Sequence, residues 1–381
     1  MLSAPLDLSQ TILSGGAGAP SPHSELAYMQ AQRTNTVEQP VNILLRSPDD
    51  LKIVASDPAG SIAFLSEPSF EEVARIACRS ATIAMCWAEL DERPALVCLC
   101  LDRKLRIWKL DANYLPARRI RATVIYLDSP PIDMGMIAYE GNHMLLAVAT
   151  RSQLWTWQLG SKAVPLGGLI STSDSTVIAH IQFIPDTSRL MLFYRNQGKI
   201  VEYDVKQEEI MLETRITDRI DVVAFTRDDQ FVTGNRRALE LHSVRTISPP
   251  TNPERSYTYA PVSSRTLDKV SFTMLSVVDG GTLLSCMETG EIYIWDISSW
   301  SFRGAFRSKN GKISGLLTMP IKSSRDVTLG HTLVLASSTG LETWEVYRDD
   351  SHLVSDFINP DTAQDSASAT DIGDVHKDAT K

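Results

Sequence analysis

One short strand-like segment recurs seven times along this chain of 381 residues. Each copy is centred on an anchor residue, which is aromatic in five copies, leucine in one and histidine in one. The anchors are Leu65, Trp108, Trp157, Tyr203, His242, Trp295 and Trp344. An aliphatic residue stands three positions before each, namely Ile62, Leu105, Leu154, Ile200, Leu239, Ile292 and Leu341. The anchors are 43, 49, 46, 39, 53 and 49 residues apart. A repeat of this length predicts one supersecondary unit stacked on copies of itself.

Further strands are predicted before and after each anchor. In the first repeat, residues 42–46, 51–56 and 61–66 are separated by the turns Ser47-Pro48-Asp49-Asp50 and Asp57-Pro58-Ala59-Gly60. Asp and Gly suit tight hairpins because they tolerate left-handed backbone or bond their own amides. Weaker strands are predicted after the anchors, as at 72–77, 118–123, 210–216 and 302–306. The pattern predicts an all-β fold, a seven-bladed β-propeller of four-stranded antiparallel blades.

The propeller is expected to occupy residues 25–358. Residues 1–24 and 359–381 have no aromatic residues and no periodicity, so we predict a disordered N-terminal tail and a disordered acidic C-terminal tail. The ring is expected to close through a strand at residues 27–36, which would complete the blade that contains Trp344. That placement follows because the outer strand begins about 40 residues before the anchor in a repeat of this kind. Residues 353–358 are the competing closing strand.

The repeats resemble those of WD-repeat proteins. Trp295-Asp296 is the one literal Trp-Asp pair, and residues 100–108, with Asp102 in the turn, come closest to that family's pattern. The other six turns depart from it, with Ala59, Arg151, Gln197, Arg236, Thr289 and Ser338 at the Asp position. Gly330-His331 also falls outside the usual place of the family's Gly-His pair. The resemblance implies a propeller that acts as a non-catalytic interaction scaffold, without the family's hydrogen-bonded tetrad.

Composition places limits on the class of protein. The net charge is −9, with 43% hydrophobic and 22% charged residues, as in ordinary globular chains. No run approaches the roughly 18–20 apolar residues of a membrane helix, so no membrane insertion is expected. The first 23 residues carry Asp7 as their one charge, unlike a secretory signal. An odd number of cysteines lies on apolar segments (Cys78, Cys86, Cys98, Cys100 and Cys286), which favours reduced thiols and a cytoplasmic or nuclear location.

No motif for catalysis, a cofactor or a metal is recognised. The glycines of residues 15–18 follow no predicted strand, and there is no Gly-x-Ser-x-Gly elbow. Cys98 and Cys100 are interpreted as core residues, because a metal site needs about four ligands at matched spacing. His242 stands where other repeats place a core aromatic, so a buried ring is expected. We therefore predict no catalytic, cofactor or metal residues, and a propeller enzyme is the least favoured alternative.

Basic residues recur in the turns between the second and third strands. In WD-repeat propellers these turns lie on the top face, around the central channel. Here they carry Arg103, Lys104, Arg151, Arg195, Lys199, Arg236 and Arg237, which we call the basic arc. The arc predicts a binding site for other proteins with acidic or phosphorylated segments. The alternatives are ordinary exposed turns, or a propeller associated with nucleic acid or histones. Nucleic acid is disfavoured by the overall acidity.

Overall fold

The computed structural model of the protein describes residues 40–67, 69–128, 135–150, 153–168, 177–226, 230–246, 257–267, 270–278, 281–322 and 328–347. Within these ranges the regular structure consists of 27 β-strands in seven antiparallel sheets. Each sheet is built from strands that are consecutive in the chain and is one blade of a β-propeller. The predicted fold is confirmed.

The first four blades have four strands each. Blade 1 contains β1 (Ile43–Arg46), β2 (Lys52–Ser56), β3 (Ser61–Ser66) and β4 (Glu72–Ala77). Blade 2 contains β5 (Thr82–Glu89), β6 (Pro94–Cys100), β7 (Lys104–Lys109) and β8 (Thr123–Tyr126). Blade 3 contains β9 (Gly135–Glu140), β10 (Leu145–Thr150), β11 (Leu154–Gln158) and β12 (Val164–Gly167). Blade 4 contains β13 (Ile178–Phe183), β14 (Arg189–Tyr194), β15 (Lys199–Asp204) and β16 (Glu209–Arg215).

The last three blades follow the same order. Blade 5 contains β17 (Val222–Phe225), β18 (Phe231–Gly234), β19 (Ala238–Thr246) and β20 (Tyr257–Thr266). Blade 6 contains β21 (Phe272–Val278), β22 (Thr282–Met287), β23 (Glu291–Asp296) and β24 (Ser301–Arg307). The described part of blade 7 contains β25 (Ile313–Lys322), β26 (Thr328–Ser337) and β27 (Gly340–Tyr347).

The outer strand of blade 2 departs from the sequence-based expectation. It begins at Thr123, whereas residues 118–123 were predicted to form it. The carboxylate of Asp111 accepts hydrogen bonds from the amides of Asn113 and Leu115, each at 2.9 Å. These bonds close a separate turn after β7, so the chain forms a longer loop before β8 pairs with β7.

The first strands of the blades form a closed inner ring. Each contacts the first strand of the next blade, and β25 of blade 7 contacts β1 of blade 1. The amide of Val41 donates to the carbonyl of Ser337 at 3.0 Å, and Ser314 Oγ donates to the carbonyl of Val41 at 2.7 Å. The start of blade 1 is therefore bonded to blade 7. Both predicted closing strands, 27–36 and 353–358, lie outside the described residues.

All seven anchors lie on the third strand of their blades and are 0–5% exposed. They alternate with the equally buried aliphatic residues three positions earlier, and the two sets point to opposite faces of the blade. Trp108 packs in a cluster with Phe64 of the preceding blade, whereas Leu105 packs with Val148 of the following one. The recurring spacing therefore reflects a strand that is buried on both faces between its neighbours.

Two anchors bond to a hydroxyl on the second strand of their own blade. Trp295 Nε1 donates to Ser285 Oγ at 2.9 Å. His242 is fully buried, stacks on Phe231 with ring centroids 5.2 Å apart, and places Nε2 2.9 Å from Thr233 Oγ1. The same nitrogen lies 3.5 Å from Glu240 Oε2, so a side chain that replaces a core aromatic keeps its packing and has polar neighbours. The expected burial of His242 is confirmed.

The Asp of the Trp-Asp pair closes the turn after the third strand of blade 6. Asp296 accepts hydrogen bonds from Ser298 Oγ at 2.6 Å, from the Ser299 amide at 3.0 Å and from Arg303 Nη2 at 2.7 Å. Burial opposes its ionisation, but these donors outweigh that effect and hold the pKa of Asp296 well below its ordinary value. Its role here is structural, as a cap for the turn.

The cysteines are free thiols within or beside the core. Cys98 and Cys100 are both fully buried on β6. Cys100 lies with its sulfur 3.1 Å from that of Cys78. Burial raises the pKa of Cys98 well above its ordinary value. Among the described residues, no cluster of three or more His, Cys, Asp or Glu side chains is placed to hold a metal ion.

Candidate functional site: a cationic upper face

The turns between second and third strands lie on the same face as the connections between blades. In blades 1, 2, 4, 5 and 6 the connection that follows the blade is bonded to that blade's turn. Thus the Leu127 amide donates to the Arg103 carbonyl at 2.9 Å, and the Ser308 amide donates to the Gly290 carbonyl at 3.0 Å. Antiparallel order dictates this arrangement, because the chain reverses direction at every strand. We call this the upper face, and the opposite one the lower face.

Six residues of the basic arc are described, and all lie on or directly beside upper-face turns. They are Arg103 and Lys104 of blade 2, Arg195 and Lys199 of blade 4, and Arg236 and Arg237 of blade 5. Arg151 of blade 3 lies outside the described residues. The six described residues have different environments, so the basic arc is not a uniform patch of positive charge.

In blade 2 an aspartate offsets part of the positive charge. Arg106 donates to both carboxylate oxygens of Asp102, at 2.8 and 2.7 Å, and Lys104 lies 3.3 Å from the same group. The hydrogen bonds from Arg106 lower the pKa of Asp102 despite its partial burial. Lys104 Nζ also lies 5.3 Å from the ring centroid of Tyr126, which is 73% exposed. Arg103, in left-handed backbone with φ 61°, presents an exposed side chain beside them.

The basic residues of blade 4 and blade 5 differ in how far they are paired with carboxylates. Lys199 Nζ forms an ion pair with Glu213 at 3.1 Å and lies 5.0 Å from the ring centroid of the buried Tyr194. Arg236 and Arg237 have exposed side chains, and neither forms an ion pair with a carboxylate of the described residues. Blade 5 therefore presents the cations most available to a ligand.

Arg195 and Arg236 line one cavity of about 490 Å³ on the upper face. It lies where the first strands of blades 5, 6 and 7 begin, at Val222, Phe272 and Ile313. Its charged lining comprises Arg195, Arg219, Arg236, Lys312, Asp221 and Glu288. We call it the cationic cavity, because its four cations outnumber its two carboxylates.

The backbone around Arg236 is held on both sides. Asn235 Oδ1 accepts a hydrogen bond from the Arg237 amide at 2.8 Å, and Asn235 Nδ2 donates to the Arg219 carbonyl at 3.3 Å. On the other side, the Val270 amide donates to the Arg236 carbonyl at 3.2 Å. The turn is thereby fixed to the connections before and after blade 5, while the Arg236 side chain stays exposed.

The other cations of the cavity are partly neutralised. Arg219 Nε donates to both oxygens of Asp221, at 2.8 and 3.0 Å, and this bond raises the pKa of the guanidinium. Arg195 Nη2 lies 3.4 Å from the Asp221 carbonyl, and its Nε lies 3.6 Å from Oδ1 of the same residue. Lys312 lies 3.4 Å from Glu288. An excess of two positive charges remains in the cavity.

Arg219 and Lys312 were missed by the sequence reasoning. The basic arc includes only turns between second and third strands, whereas these two residues lie in the connections β16–β17 and β24–β25. Since connections and turns share the upper face, basic residues in the connections were a signal that could have been used.

A second cavity, of about 620 Å³, opens between blades 4 and 5 at the lower face. Apolar side chains form most of its walls, including Phe183, Met191, Phe225, Phe231, Val244 and Tyr259. Arg189 also contributes to the lining. This cavity contains none of the basic-arc residues and differs chemically from the cationic cavity.

The solved structures that are similar to this chain include the following two. The β-propeller domain of Cps50 (Swd1) from Myceliophteria thermophila is 12% identical, with a TM-score of 0.65, and the match covers 83% of this chain and 100% of that domain. The structure of U3-55K is 10% identical, with a TM-score of 0.58, and the match covers 84% of this chain and 98% of that one. At these identities the likeness establishes the β-propeller fold.

No protein-family model matches the sequence, and no curated protein matches it either. Among the described residues, no helix is long and apolar enough to cross a membrane.

Proposed function

We propose that the protein is a non-catalytic interaction scaffold, an intracellular propeller subunit that binds other proteins through its upper face. The observation that carries this proposal is the excess of exposed cations around Arg236 and Arg237 on a chain of net charge −9. A local excess of positive potential attracts acidic segments of partners. The closed ring of blades holds the turns in a fixed relation, which suits a platform.

The binding is expected to be collective. An exposed ion pair contributes only about 0–1 kcal/mol, so a single residue of the arc cannot hold a partner. Several cations in fixed positions on adjacent turns add their fields and can form several charge-assisted hydrogen bonds with one acidic segment. Weakening by salt is expected, because these side chains are exposed and the Debye length is about 8–10 Å at physiological ionic strength.

Charge reversal on the upper face tests the proposal. The double variant Arg236→Glu, Arg237→Glu changes the face by four charges without removing a described side-chain hydrogen bond. Partners captured on the tagged chain are compared with those of the unchanged protein by quantitative mass spectrometry. We expect the main partner to be lost while circular dichroism and the melting temperature stay unchanged.

A matched control makes the same charge change elsewhere. Arg118 and Arg119 are exposed and lie in the connection between β7 and β8, on the lower side of blade 2. Arg118→Glu, Arg119→Glu is expected to retain the partner. Equal yields from both double variants and the unchanged protein would overturn the upper-face assignment.

An alternative role in binding nucleic acid or histones requires exposed aromatic side chains beside the cations. Tyr126 meets that requirement next to Lys104, but the aromatic next to Lys199 is the buried Tyr194. Stacking platforms for bases need exposed rings along the groove. These contacts therefore favour an acidic segment of a partner protein over nucleic acid.

A further inference from the structure

We propose that the cationic cavity binds a phosphomonoester group carried by a side chain of the partner protein. This inference rests on the proposed function and deepens it, because it names the chemical group that the upper face recognises. The four cations Arg195, Arg219, Arg236 and Lys312 converge from blades 4 and 5 and from the connections between blades.

Charge decides between the two common anions of a peptide. Asp221 and Glu288 leave the cavity with an excess of two positive charges. A phosphorylated side chain carries about −1.5 to −2 charges at pH 7, whereas an Asp or Glu side chain carries one. The phosphomonoester therefore matches the excess, and a single carboxylate leaves about half of it uncompensated.

The size of the cavity also fits a phosphorylated side chain. The cavity, at about 490 Å³, falls within the roughly 300–1,000 Å³ of typical ligand sites and is open to solvent. It has room for a phosphorylated side chain together with the peptide segment that carries it. Arginine is well suited to this task, because its planar fork donates two hydrogen bonds to the oxygens of one phosphate.

The four cations differ in how firmly their side chains are held. Arg219 and Arg195 are held by Asp221, so they form a fixed wall of positive charge. Arg236 and Lys312 are exposed at the opening, with the Lys312 side chain 61% exposed. These two residues can reorient toward an incoming phosphate, which makes them the residues to change in a test. Their exposure also means that truncation leaves the core intact.

The test measures binding of fluorescent peptide pools to the purified full chain by anisotropy. One pool has phosphoserine or phosphothreonine at a fixed position within degenerate flanks. A second pool has the unmodified residue there, and a third has Glu. We expect the phosphorylated pool to bind at least tenfold more tightly than either of the others. Arg236→Ala and Lys312→Ala are each expected to weaken that binding roughly tenfold.

Control variants and competitors identify the source of the phosphate. Arg119→Ala, on the lower side of blade 2, is expected to leave binding unchanged. Inositol hexakisphosphate is titrated in the same assay. If it binds while the phosphopeptide pool does not, the assignment to a phosphorylated protein is wrong. Equal affinity for the phosphorylated and Glu pools would likewise overturn the proposal in favour of a carboxylate site.

A final arm separates this inference from the proposed function. Lysate is treated with active or heat-inactivated protein phosphatase before capture on the tagged chain. We expect the partner that depends on Arg236 and Arg237 to be lost only after active phosphatase. If capture survives dephosphorylation but is lost in the charge-reversal variant, the scaffold role stands and the phosphate assignment is rejected.

Discussion

The hydroxyl of Tyr259 donates a 2.6 Å hydrogen bond to Oε1 of Glu202, and this bond joins the outer strand of blade 5 to the third strand of blade 4. Glu202 has no exposed surface. Arg189 Nη1 lies 3.9 Å from its other oxygen. A buried carboxylate is tolerated only where donors replace the water that it has lost, so the blade interface depends on these partners.

Tyr259→Phe is expected to destabilise the protein by about 1–3 kcal/mol, because it leaves a buried acceptor with one donor fewer. Urea unfolding followed by circular dichroism measures this difference. Glu202→Gln keeps an acceptor and removes the charge, so a smaller loss is expected. A free energy of unfolding for Tyr259→Phe equal to that of the unchanged protein would show that the bond does not support the interface.

Trp295→Ala is expected to lower the free energy of unfolding by about 3–5 kcal/mol, because it is a large-to-small change in a packed core. The side chain is 2% exposed and packs in the cluster between blades 5 and 6. Trp295→Phe is the matched control, because it keeps most of the packing and loses only the bond to Ser285. We expect the free energy of unfolding of Trp295→Phe to lie between that of Trp295→Ala and that of the unchanged protein. A cost below about 1 kcal/mol for Trp295→Ala is incompatible with this packing.

Acid is expected to destabilise the protein through His180. The ring lies between Phe193 and Phe225, with centroids 5.9 and 5.8 Å away, and its desolvation lowers its pKa to about 4 from an ordinary 6.5. Between these two pH values the unfolded chain binds a proton that the folded one resists. The free energy of unfolding therefore falls as the pH drops from about 6.5 toward 4.

His180→Phe removes this titration and keeps an aromatic ring in the cluster. Unfolding at pH 7 and pH 4.5 is compared for the two proteins, so that other titrating groups cancel in the difference. The unchanged protein should lose more stability than the variant, by an amount on the order of 1–3 kcal/mol. Parallel pH profiles would exclude His180 as the source.

Deleting residues 1–38 is expected to lower the melting temperature, because we predict that residues 27–36 complete blade 7. The described part of that blade has three strands, and Val41 is hydrogen-bonded to it through Ser337 and Ser314. Deleting residues 359–381 is the control, with no change expected. If only deletion of residues 348–381 lowers the melting temperature, the closing strand is the competing segment 353–358.

The local pattern of residues along the sequence predicted much of the fold. The spacing of Leu105 and Trp108 repeats in all seven blades because both faces of each third strand are buried. Short-range chemistry also places the turns, as with Asp57, whose side chain accepts a hydrogen bond from the Ser61 amide at 2.7 Å. The outer strand of blade 2 was misplaced because outer strands are half-exposed and carry a weaker hydrophobic signal.

Sequence alone determined the number of blades and the strand that carries each anchor. These follow from periodicity and turn chemistry, which act over a few residues. Only the tertiary structure decided which charges are neutralised and which converge. Arg195 and Asp221 are 26 residues apart, and Arg219 and Lys312 are further apart still, so no local pattern encodes their proximity. Their distances are set by how the blades close into a ring, and electrostatic interaction depends on those distances rather than on separation along the chain.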